Sequence, residues 1–354
     1  MRYFDMFAGI GGFSLGITKA YEAIYNTEVA GLENVRNTES IQGVQSNIES
    51  EHGGHIPTCV GYSEIDKYAI QVYERHFNHR NYGDATTINP SDLPDFDLLC
   101  GGFPCQAFSV AGKRKGFDDT RGTLFFDIAR ICAEKRPRYL VLENVKGLLS
   151  HDKGKTFQTI LGVLSDLGYF VEWQVLNSKN FGVPQNRERV FIIGYLGGEP
   201  KRKVFPIGEV NNLHLKEITS GVSDAQRIYK TEGVAKTLKG LGGGLGAKTG
   251  LYAIPVLTPD RLEKRQNGRR FKEDGEPAFT LTSQDKHGIY DGARIRRLTP
   301  LECERLQGFP DGWTEKGIDV NGNEVYISDT QRYRSLGNAV TTNVVTEIIC
   351  RLVK

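Results

Sequence analysis

Arg2-Tyr3-Phe4-Asp5-Met6-Phe7 is a short, largely apolar run that leads into the glycine-rich turn Ala8-Gly9-Ile10-Gly11-Gly12 and then into a helical pattern from Phe13. A strand that passes through glycines into a helix is the opening unit of a parallel α/β sheet. Its glycines let a ligand approach the helix N-terminus closely. Apolar runs and helical stretches keep alternating up to Tyr195, which predicts a doubly wound, mostly parallel sheet.

The same alternation predicts where the individual elements lie. Strands are expected at Arg2–Phe7, Cys59–Ser63, Asp97–Cys100, Tyr139–Glu143, Val171–Leu176 and Val190–Tyr195. Helices are expected at Phe13–Tyr25, Lys67–Phe77, Gly122–Glu134, Thr156–Leu167 and, near the end of the chain, Asn338–Leu352. The polar stretch from Asn34 to Pro57 is interpreted as an insertion before the second strand.

The second half of the chain differs in texture and in charge. After Tyr195, strand and turn signals replace helical periodicity. Residues 197–297 carry 19 Lys and Arg against 12 Asp and Glu, although the net charge of all 354 residues is only +2. Such an asymmetry favours a surface that faces a polyanion, with a solvated, loop-rich face as the alternative. We predict a first domain over 1–196, a smaller, irregular, strand-rich domain over 197–328, and a segment over 329–354 that returns to the first.

Several protein classes are disfavoured by composition. No run approaches the roughly 20 apolar residues that a membrane helix needs, and the first residues lack the pattern of a secretory signal. The six cysteines are scattered, with no C-x-x-C pair, which argues against a zinc site and against a disulfide framework. We therefore expect reduced thiols, no metal, and a cytoplasmic location.

Two features near the first strands indicate a ligand site. The glycine turn Gly9–Gly12 is suited to binding a cofactor, although tight packing alone would also explain it. Glu64 directly follows the second strand, where an acidic residue of a doubly wound fold can hold ribose hydroxyls. No G-x-G-x-x-G spacing is present, so a nucleoside cofactor fits better than a dinucleotide.

Two further motifs follow strands at the same expected sheet edge, and a third directly precedes the last predicted strand. Gly101-Gly102-Phe103-Pro104-Cys105-Gln106 places Cys105 on a turn, with Lys113-Arg114-Lys115 nearby to stabilise a thiolate nucleophile; the alternative is a buried structural cysteine. Glu143-Asn144-Val145 supplies a candidate general acid, or merely a turn residue. Gln185-Asn186-Arg187-Glu188-Arg189 projects two arginines to one side of a strand, for binding a planar or anionic group or for a surface salt bridge.

Taken in order, these motifs resemble the DNA (cytosine-5)-methyltransferase family, in particular its short bacterial and phage members. Seven blocks that cover nearly the whole chain carry the resemblance: Phe7–Gly12, Gly102–Gln106, Thr120–Leu124, Glu143–Val145, Gln185–Arg189, Arg297–Arg305 and Leu336–Val340. The resemblance implies a Rossmann-like methyltransferase sheet with a smaller target-recognition domain. It also implies methyl transfer from S-adenosylmethionine to carbon-5 of a cytosine that has been flipped out of a specific duplex DNA sequence.

The resemblance assigns roles to individual residues. Cys105 would add to carbon-6 of the cytosine, Glu143 would hold or donate a proton at ring N3, and Arg189 would bind O2, with Arg187 and Asn144 in support. The expected cofactor pocket consists of Phe7, Gly9, Gly11, Gly12, Glu64, Ile65, Asp84, Pro104, Leu124, Asn338 and Val340. The expected DNA contacts are Gln106, Arg227, Thr237, Gly243, Gly244, Arg269, Arg270 and Thr280, most of them in two similar Thr-Leu-containing segments of the basic region.

Alternatives remain at this point. A tRNA-directed member of the same family would keep the chemistry, but the long second domain argues against it. A nicotinamide-dependent dehydrogenase leaves the Pro-Cys and Glu-Asn-Val motifs unexplained, and a non-catalytic DNA-binding protein would not need Cys105. We expect a monomer that acts on double-stranded DNA, encoded by a bacterium or a phage, as an orphan enzyme or beside a restriction endonuclease.

Overall fold

The computed structural model describes residues 1–36, 57–104, 124–208, 254–257, 269, 271–272, 276–283, 286–290 and 295–353. Contacts along the chain divide it into two compact units. The first unit consists of Met1–Val175, Arg189–Ile207 and Val344–Lys354, and the second consists of Leu176–Glu188 and Gly208–Asn343. The boundaries at 196 and 328 that the sequence suggests stay a prediction.

A six-stranded sheet forms the centre of the first unit. Its strands are β1 (Arg2–Met6), β2 (Thr58–Ser63), β3 (Leu98–Gly102), β4 (Tyr139–Val145), β5 (Tyr169–Asn177) and β6 (Glu188–Leu196). They lie in the order β2-β1-β3-β4-β6-β5. Strands β1 to β4 pair in parallel, whereas β6 runs antiparallel to β4. The predicted mostly parallel α/β sheet is therefore confirmed, and each strand lies within about two residues of its predicted bounds because buried apolar runs mark the strands of such sheets.

Helices cover both faces of this sheet. They are α1 (Gly12–Arg36), α2 (Lys67–His76), α3 (Leu124–Lys135) and α4 (Lys155–Asp166). Because side chains alternate along a strand, Phe4 and Met6 of β1 point into a core that they share with α3 and α4, where Phe125 and Ile160 are buried. Asp5 points to the opposite face, where it meets α1. Both faces of β1 are thus buried.

The described part of the second unit is built from short strands and helices. Strands β7 (Ile254–Leu257), β8 (His287–Tyr290) and β9 (Ile295–Arg297) form an antiparallel sheet, and β10 (Lys316–Ile318) and β11 (Glu324–Tyr326) form a hairpin. Helix α5 (Pro300–Leu306) begins with a capping box between Thr299 and Glu302. Helix α6 (Asp329–Asn338) follows the hairpin.

The end of the chain differs from the prediction of one helix over Asn338–Leu352. Helix α6 ends at Asn338, Ala339 is extended (φ −65°, ψ 148°), and a separate helix α7 (Thr342–Val353) begins three residues later. The side chain of Gln307, from elsewhere in the second unit, donates to Leu336 O in the last turn of α6 and to Ala339 O at the break. Tertiary hydrogen bonds therefore override the local helical pattern.

Candidate active site

A carboxylate and a guanidinium lie side by side where β4 and β6 meet. Arg189 Nε donates to Glu143 Oε1 at 2.9 Å, and the two side chains are only 15% and 12% exposed. In the antiparallel ladder Arg189 stands opposite Val145 and Phe191 stands opposite Glu143, so the pair is a diagonal one, within reach of long side chains. A Cβ on Gly102 would come within 3.0 Å of Glu143 Oε2, so the glycine leaves room for the carboxylate. The predicted neighbours Glu143 and Arg189 are therefore in contact.

Asn144 connects this pair with the Phe-Pro-Cys turn. Its side chain is almost completely buried; Nδ2 donates to Phe103 O at 2.8 Å, while Oδ1 accepts from Val145 N. The amide thus fixes the backbone two residues before Cys105. Pro104 is exposed, and Cys105 and Gln106 lie outside the described residues.

Four of the five described cysteines are poor nucleophiles. Burial raises the pKa of Cys59, Cys132 and Cys303 to about 12, and burial together with the nearby Asp5 carboxyl raises the pKa of Cys100 well above its ordinary value. Because the thiolate is the reactive form, these groups stay protonated and unreactive at neutral pH.

The loop between β1 and α1 is joined to the end of β2 through Glu64. Gly9 N donates to Glu64 Oε2 at 2.9 Å, and Ile65 N and Asp66 N donate to Glu64 Oε1 at 2.8 Å each. Gly9 has φ +55° and nothing lies within 4 Å of where its Cβ would be. The carboxylate is therefore positioned by main-chain donors beside open space, as a ligand site requires.

The rest of the loop is tightly constrained. Gly11 has φ +86°, and a Cβ there would come within 2.6 Å of the Phe77 ring and 3.3 Å of the Tyr73 ring. Phe7 also lies in the left-handed region (φ 56°), which costs a non-glycine residue conformational energy. Gly12 begins α1. Gly9 and Gly11 are thus favoured by backbone conformation, and Gly11 also by its close approach to Tyr73 of α2 and to Phe77.

The other predicted cofactor residues are spread over both units. Ile65 is 71% exposed although it is apolar. Asp84 is exposed and accepts hydrogen bonds from the backbone and side chain of Thr86, which lower the pKa of its carboxyl. Leu124 begins α3. Asn338 and Val340 belong to the second unit, where Asn338 is exposed and Val340 is buried.

Arg187 stands two residues before Arg189, but its surroundings are different. The Arg187 side chain is 2% exposed and lies in the second unit. Its guanidinium donates to Leu281 O at 2.9 Å, to Gly337 O at 3.2 Å and to Ala339 O at 2.7 Å. These bonds join the loop that contains Leu281 (the 281 loop) to the last turn of α6 and to Ala339, which follows that helix. A supporting role of Arg187 in catalysis stays a proposal, and the structure favours an indirect one.

Two buried glutamines next to Arg187 were not predicted. Gln307 donates to Leu336 O and Ala339 O, and accepts from Thr341 Oγ1. Gln185 donates to Leu306 O and accepts from Leu281 N. Gln185 lies in a sequence block that carries the family resemblance and Gln307 lies two residues after another, but only their hydrogen bonds reveal that they connect separate segments.

Two of the predicted DNA contacts are described. Arg269 forms an ion pair with Glu276, and Thr280 Oγ1 donates to Asn186 O. Arg227, Thr237, Gly243, Gly244 and Arg270 lie outside the described residues. Within the described residues, no group of three or more His, Cys, Asp or Glu side chains is placed to hold a metal ion, and no helix is both long and apolar enough to cross a membrane.

A mostly parallel sheet with a glycine loop, a carboxylate held by main-chain donors and a half-buried Glu–Arg pair near strand ends is typical of an α/β protein that binds a ligand beyond its strand ends. A model of the C-5 cytosine-specific DNA methylases matches residues 1–354. The orphan methyltransferase M.SPRI of Bacillus phage SPR is 36% identical, over 83% of this chain and 91% of that protein. The type II methyltransferase M.HhaI of Haemophilus parahaemolyticus is 33% identical, over 97% and 91%. The chain belongs to the C-5 cytosine-specific DNA methylase family and is a DNA (cytosine-5)-methyltransferase.

A solved structure shows the same fold. The S. pombe Dnmt2 methyltransferase matches with a TM-score of 0.57 and 16% identity, over 99% of this chain and 97% of that one. At that identity the likeness concerns the fold alone. The resemblance drawn from the sequence blocks is thus confirmed at the level of the family.

Proposed function

We propose that this enzyme transfers a methyl group from S-adenosylmethionine to carbon-5 of a cytosine flipped out of duplex DNA, through a transient bond between Cys105 Sγ and carbon-6. The contact between Glu143 and Arg189 carries this proposal. It brings an acceptor and a fork of donors together at the end of β4, and the neighbouring Asn144 fixes Phe103 O just ahead of Cys105.

The base site follows from these groups. Arg189 would donate N–H bonds to cytosine O2, and Glu143 would hold the proton at ring N3, so that the negative charge that develops during attack is neutralised. Preorganised charges that meet developing charge are a strong source of rate enhancement. Because Arg189 already contacts Glu143 at 2.9 Å, little reorganisation is needed when the base arrives.

Cys105 is the proposed nucleophile, and it attacks the ring carbon next to the one that is methylated. The Cys105 thiolate would form the carbon-6–sulfur bond, which pushes electrons into the ring and makes carbon-5 nucleophilic. S-adenosylmethionine supplies the methyl group and leaves as the neutral S-adenosylhomocysteine. Loss of the carbon-5 proton to a base, for which water is one candidate, then lets the carbon-6–sulfur bond break and restores both the ring and the thiolate.

The loop around Glu64 fits a nucleoside cofactor. Ribose hydroxyls would donate to the Glu64 carboxylate, whose oxygens can each accept more than one hydrogen bond. The exposed Ile65 side chain offers an apolar surface for adenine, and Asp84 would accept from the adenine amino group. Phe7, Gly9, Gly11 and Gly12 would surround the rest of the cofactor; Pro104, Leu124, Asn338 and Val340 are proposed with them from the family resemblance.

Duplex DNA is the proposed substrate. Flipping the base costs a few kcal/mol, which phosphate contacts of the basic region between residues 197 and 297 would offset. Arg227, Thr237, Gly243, Gly244, Arg269, Arg270, Thr280 and Gln106 are the proposed DNA contacts. Arg269 would exchange its pairing with Glu276 for a guanine edge or a phosphate.

The experiment is methyl transfer from labelled S-adenosylmethionine to duplex DNA and to tRNA, with DNA that contains 5-fluorocytosine as a trap. Fluorine at carbon-5 cannot leave as a proton, so the native enzyme should become covalently attached, whereas Cys105→Ser should neither attach nor turn over. Cys350→Ser is the matched control and should behave as the native enzyme. Transfer to tRNA alone, or turnover by Cys105→Ser, would contradict the proposal.

A further inference from the structure

A carboxyl group is buried inside the first strand. Asp5 is completely buried in β1, and its Oδ2 accepts from Ser14 Oγ at 2.9 Å. Its Oδ1 has no hydrogen-bond partner among the residues that the structure describes. A buried carboxyl group that is only partly hydrogen-bonded costs stability, and the mechanism above gives Asp5 no role.

A chain of hydrogen bonds leads from Asp5 towards the surface. Ser14 Oγ lies 2.9 Å from Tyr73 Oη, and Tyr73 Oη lies 3.0 Å from His79 Nδ1. Tyr73 is fully buried and stacks on Tyr62, whereas His79 is half-buried. Every member of the chain can both give and take a proton. We call this set, Asp5, Ser14, Tyr73 and His79, the Asp5 chain.

The Asp5 chain lies against the proposed cofactor loop. Ser14 is in the first turn of α1, two residues after Gly12. The Tyr73 ring is one of the groups that a Cβ at Gly11 would touch. Glu64, which holds Gly9 N, is close enough for its charge to act on Asp5. A change of charge at the loop can therefore act on Asp5.

Asp5 titrates in the range where such a change matters. Burial raises the pKa of Asp5 to about 7; hydrogen bonds from Ser14 oppose this rise, and the negative charge of Glu64 adds to it. The other titratable groups around Asp5 are Tyr3 in β1, Cys59 in β2, Cys100 in β3 and Tyr73 in α2. Burial raises the pKa of all four well above neutrality, so they stay uncharged, and burial lowers the pKa of His79.

We propose that Asp5 distinguishes the cationic cofactor from its neutral product by charge, and that it exchanges its proton with solvent through Ser14, Tyr73 and His79. The inference rests on the proposed use of S-adenosylmethionine. The sulfonium carries one positive charge that the thioether product lacks, while the two molecules otherwise share a shape. Binding of the cation favours ionised Asp5; after methyl transfer the charge is gone and Asp5 takes a proton back, which removes the preference for keeping the product.

The proton balance is simple. On binding of the cation, the Asp5 O–H bond breaks and its proton enters the chain. Each hydroxyl passes one proton on, and His79 delivers one proton to a buffer base. On loss of the positive charge the same steps run in reverse. Above pH 7 Asp5 is already ionised, so affinity for the cation rises as the pH rises through 7 and then levels off.

Calorimetry of the full chain at pH 7, in two buffers with different ionisation enthalpies, tests the inference. S-adenosylmethionine should release about half a proton per molecule bound, and S-adenosylhomocysteine should release markedly less. The preference for the cation should grow with pH by roughly tenfold for each unit by which the cation lowers the Asp5 pKa. Asp5→Asn should abolish both the proton release and the growth of the preference with pH. Ser91→Ala, which lies outside the Asp5 chain, should change neither. Equal proton release by native protein and Asp5→Asn would overturn the inference.

Two more variants test the parts separately. Ser14→Ala removes a hydrogen bond that lowers the Asp5 pKa, so the midpoint of the pH dependence should move upward. Tyr73→Phe keeps the ring stack but cuts the chain, so proton release followed with a pH indicator should become slower while its extent is retained; an unchanged rate would overturn the route through Tyr73. If neither nucleoside binds the native protein, the proposed cofactor and this inference both fail; if both bind without a difference in protons, only the inference fails.

The pH dependence of the free energy of unfolding checks whether Asp5→Asn folds. The folded-state pKa of Asp5, about 7, lies above its ordinary value of 3.8. Its burial therefore lowers stability progressively as the pH rises between these values, and the cost is absent below them. Asp5→Asn should accordingly be at least as stable as the native protein at pH 8, and its advantage should shrink towards pH 4. A variant that is less stable at pH 8 would contradict a buried, titrating Asp5.

Discussion

Arg187 and Arg189 are separated by one residue, yet they lie in different units and have different partners. Arg187 is 2% exposed, and the bonds described above go to main-chain carbonyls of Leu281, Gly337 and Ala339. Arg189 is 15% exposed and contacts the Glu143 carboxylate. Carbonyl partners are fixed parts of the fold, whereas a side-chain partner can exchange its bond for one to a ligand. The comparison shows that the partner, more than the residue type, decides whether an arginine supports the fold or the chemistry.

Replacement of Arg187 is expected to have the largest effect on stability. Arg187→Met keeps the length of the side chain but removes the guanidinium donor from the buried carbonyls of Leu281 and Gly337, at about 1–3 kcal/mol for each such group, while Ala339 O keeps its bond from Gln307. We expect the free energy of unfolding to fall by about 3 kcal/mol or more, measured by chemical denaturation. Arg305→Met is the control: Arg305 forms an exposed pair with Asp311, and such pairs contribute about 0.2–1 kcal/mol. Equal losses in the two variants would remove the structural role of Arg187.

Replacement of Arg189 is expected to lower the rate of methylation much more than the stability of the fold. Arg189→Met removes a preorganised donor, and such losses lower kcat by about 10²–10³-fold. The change in unfolding free energy should stay near 1 kcal/mol, because Glu143 keeps some access to water. Steady-state methylation of duplex DNA and a denaturation curve on the same preparation measure both quantities. A large loss of stability with near-normal turnover would contradict the assignment of Arg189 to the base site.

The sheet could be predicted closely from the sequence, and the connections between its parts could not. Strands β1 to β6 follow from apolar runs bounded by turns, which is local information. The contact between Glu143 and Arg189 depends on β6 running antiparallel beside β4, a long-range pairing that no local pattern encodes. Glu143 and Arg189 were both candidates from the sequence and the structure brings them into contact, but the same reasoning placed Arg187 with Arg189 because both would project from one side of a strand.

The misplaced helix boundary has the same cause. The stretch after Asn338 has an apolar periodicity that favours one helix, and α7 does follow from it. The break at Ala339 arises because Gln307 and Arg187, both distant in sequence, bind carbonyls of that segment. Asp5 is a comparable case: a carboxylate within an apolar strand signals an unusual site, but its partner Ser14, and the Tyr73 hydroxyl that contacts Ser14, are revealed only by the packing of α1 and α2.

Gly337 offers the finest test of the comparison, because its carbonyl is one of those that Arg187 binds. A Cβ at Gly337 would overlap the main chain of Thr282 and Ser283, which cannot move without disturbing the 281 loop. Gly337→Ala gains about 1 kcal/mol of helix propensity but must overpack this contact, which typically costs about 1–3 kcal/mol. We expect the free energy of unfolding, measured by chemical denaturation, to fall by about 1 kcal/mol. The double variant Gly337→Ala with Arg187→Met should lose less stability than the sum of the two single losses, since both changes disrupt the same segment. The losses of Gly337→Ala and Arg189→Met should be additive. Additivity with Arg187→Met would show that Arg187 and Gly337 stabilise the fold independently.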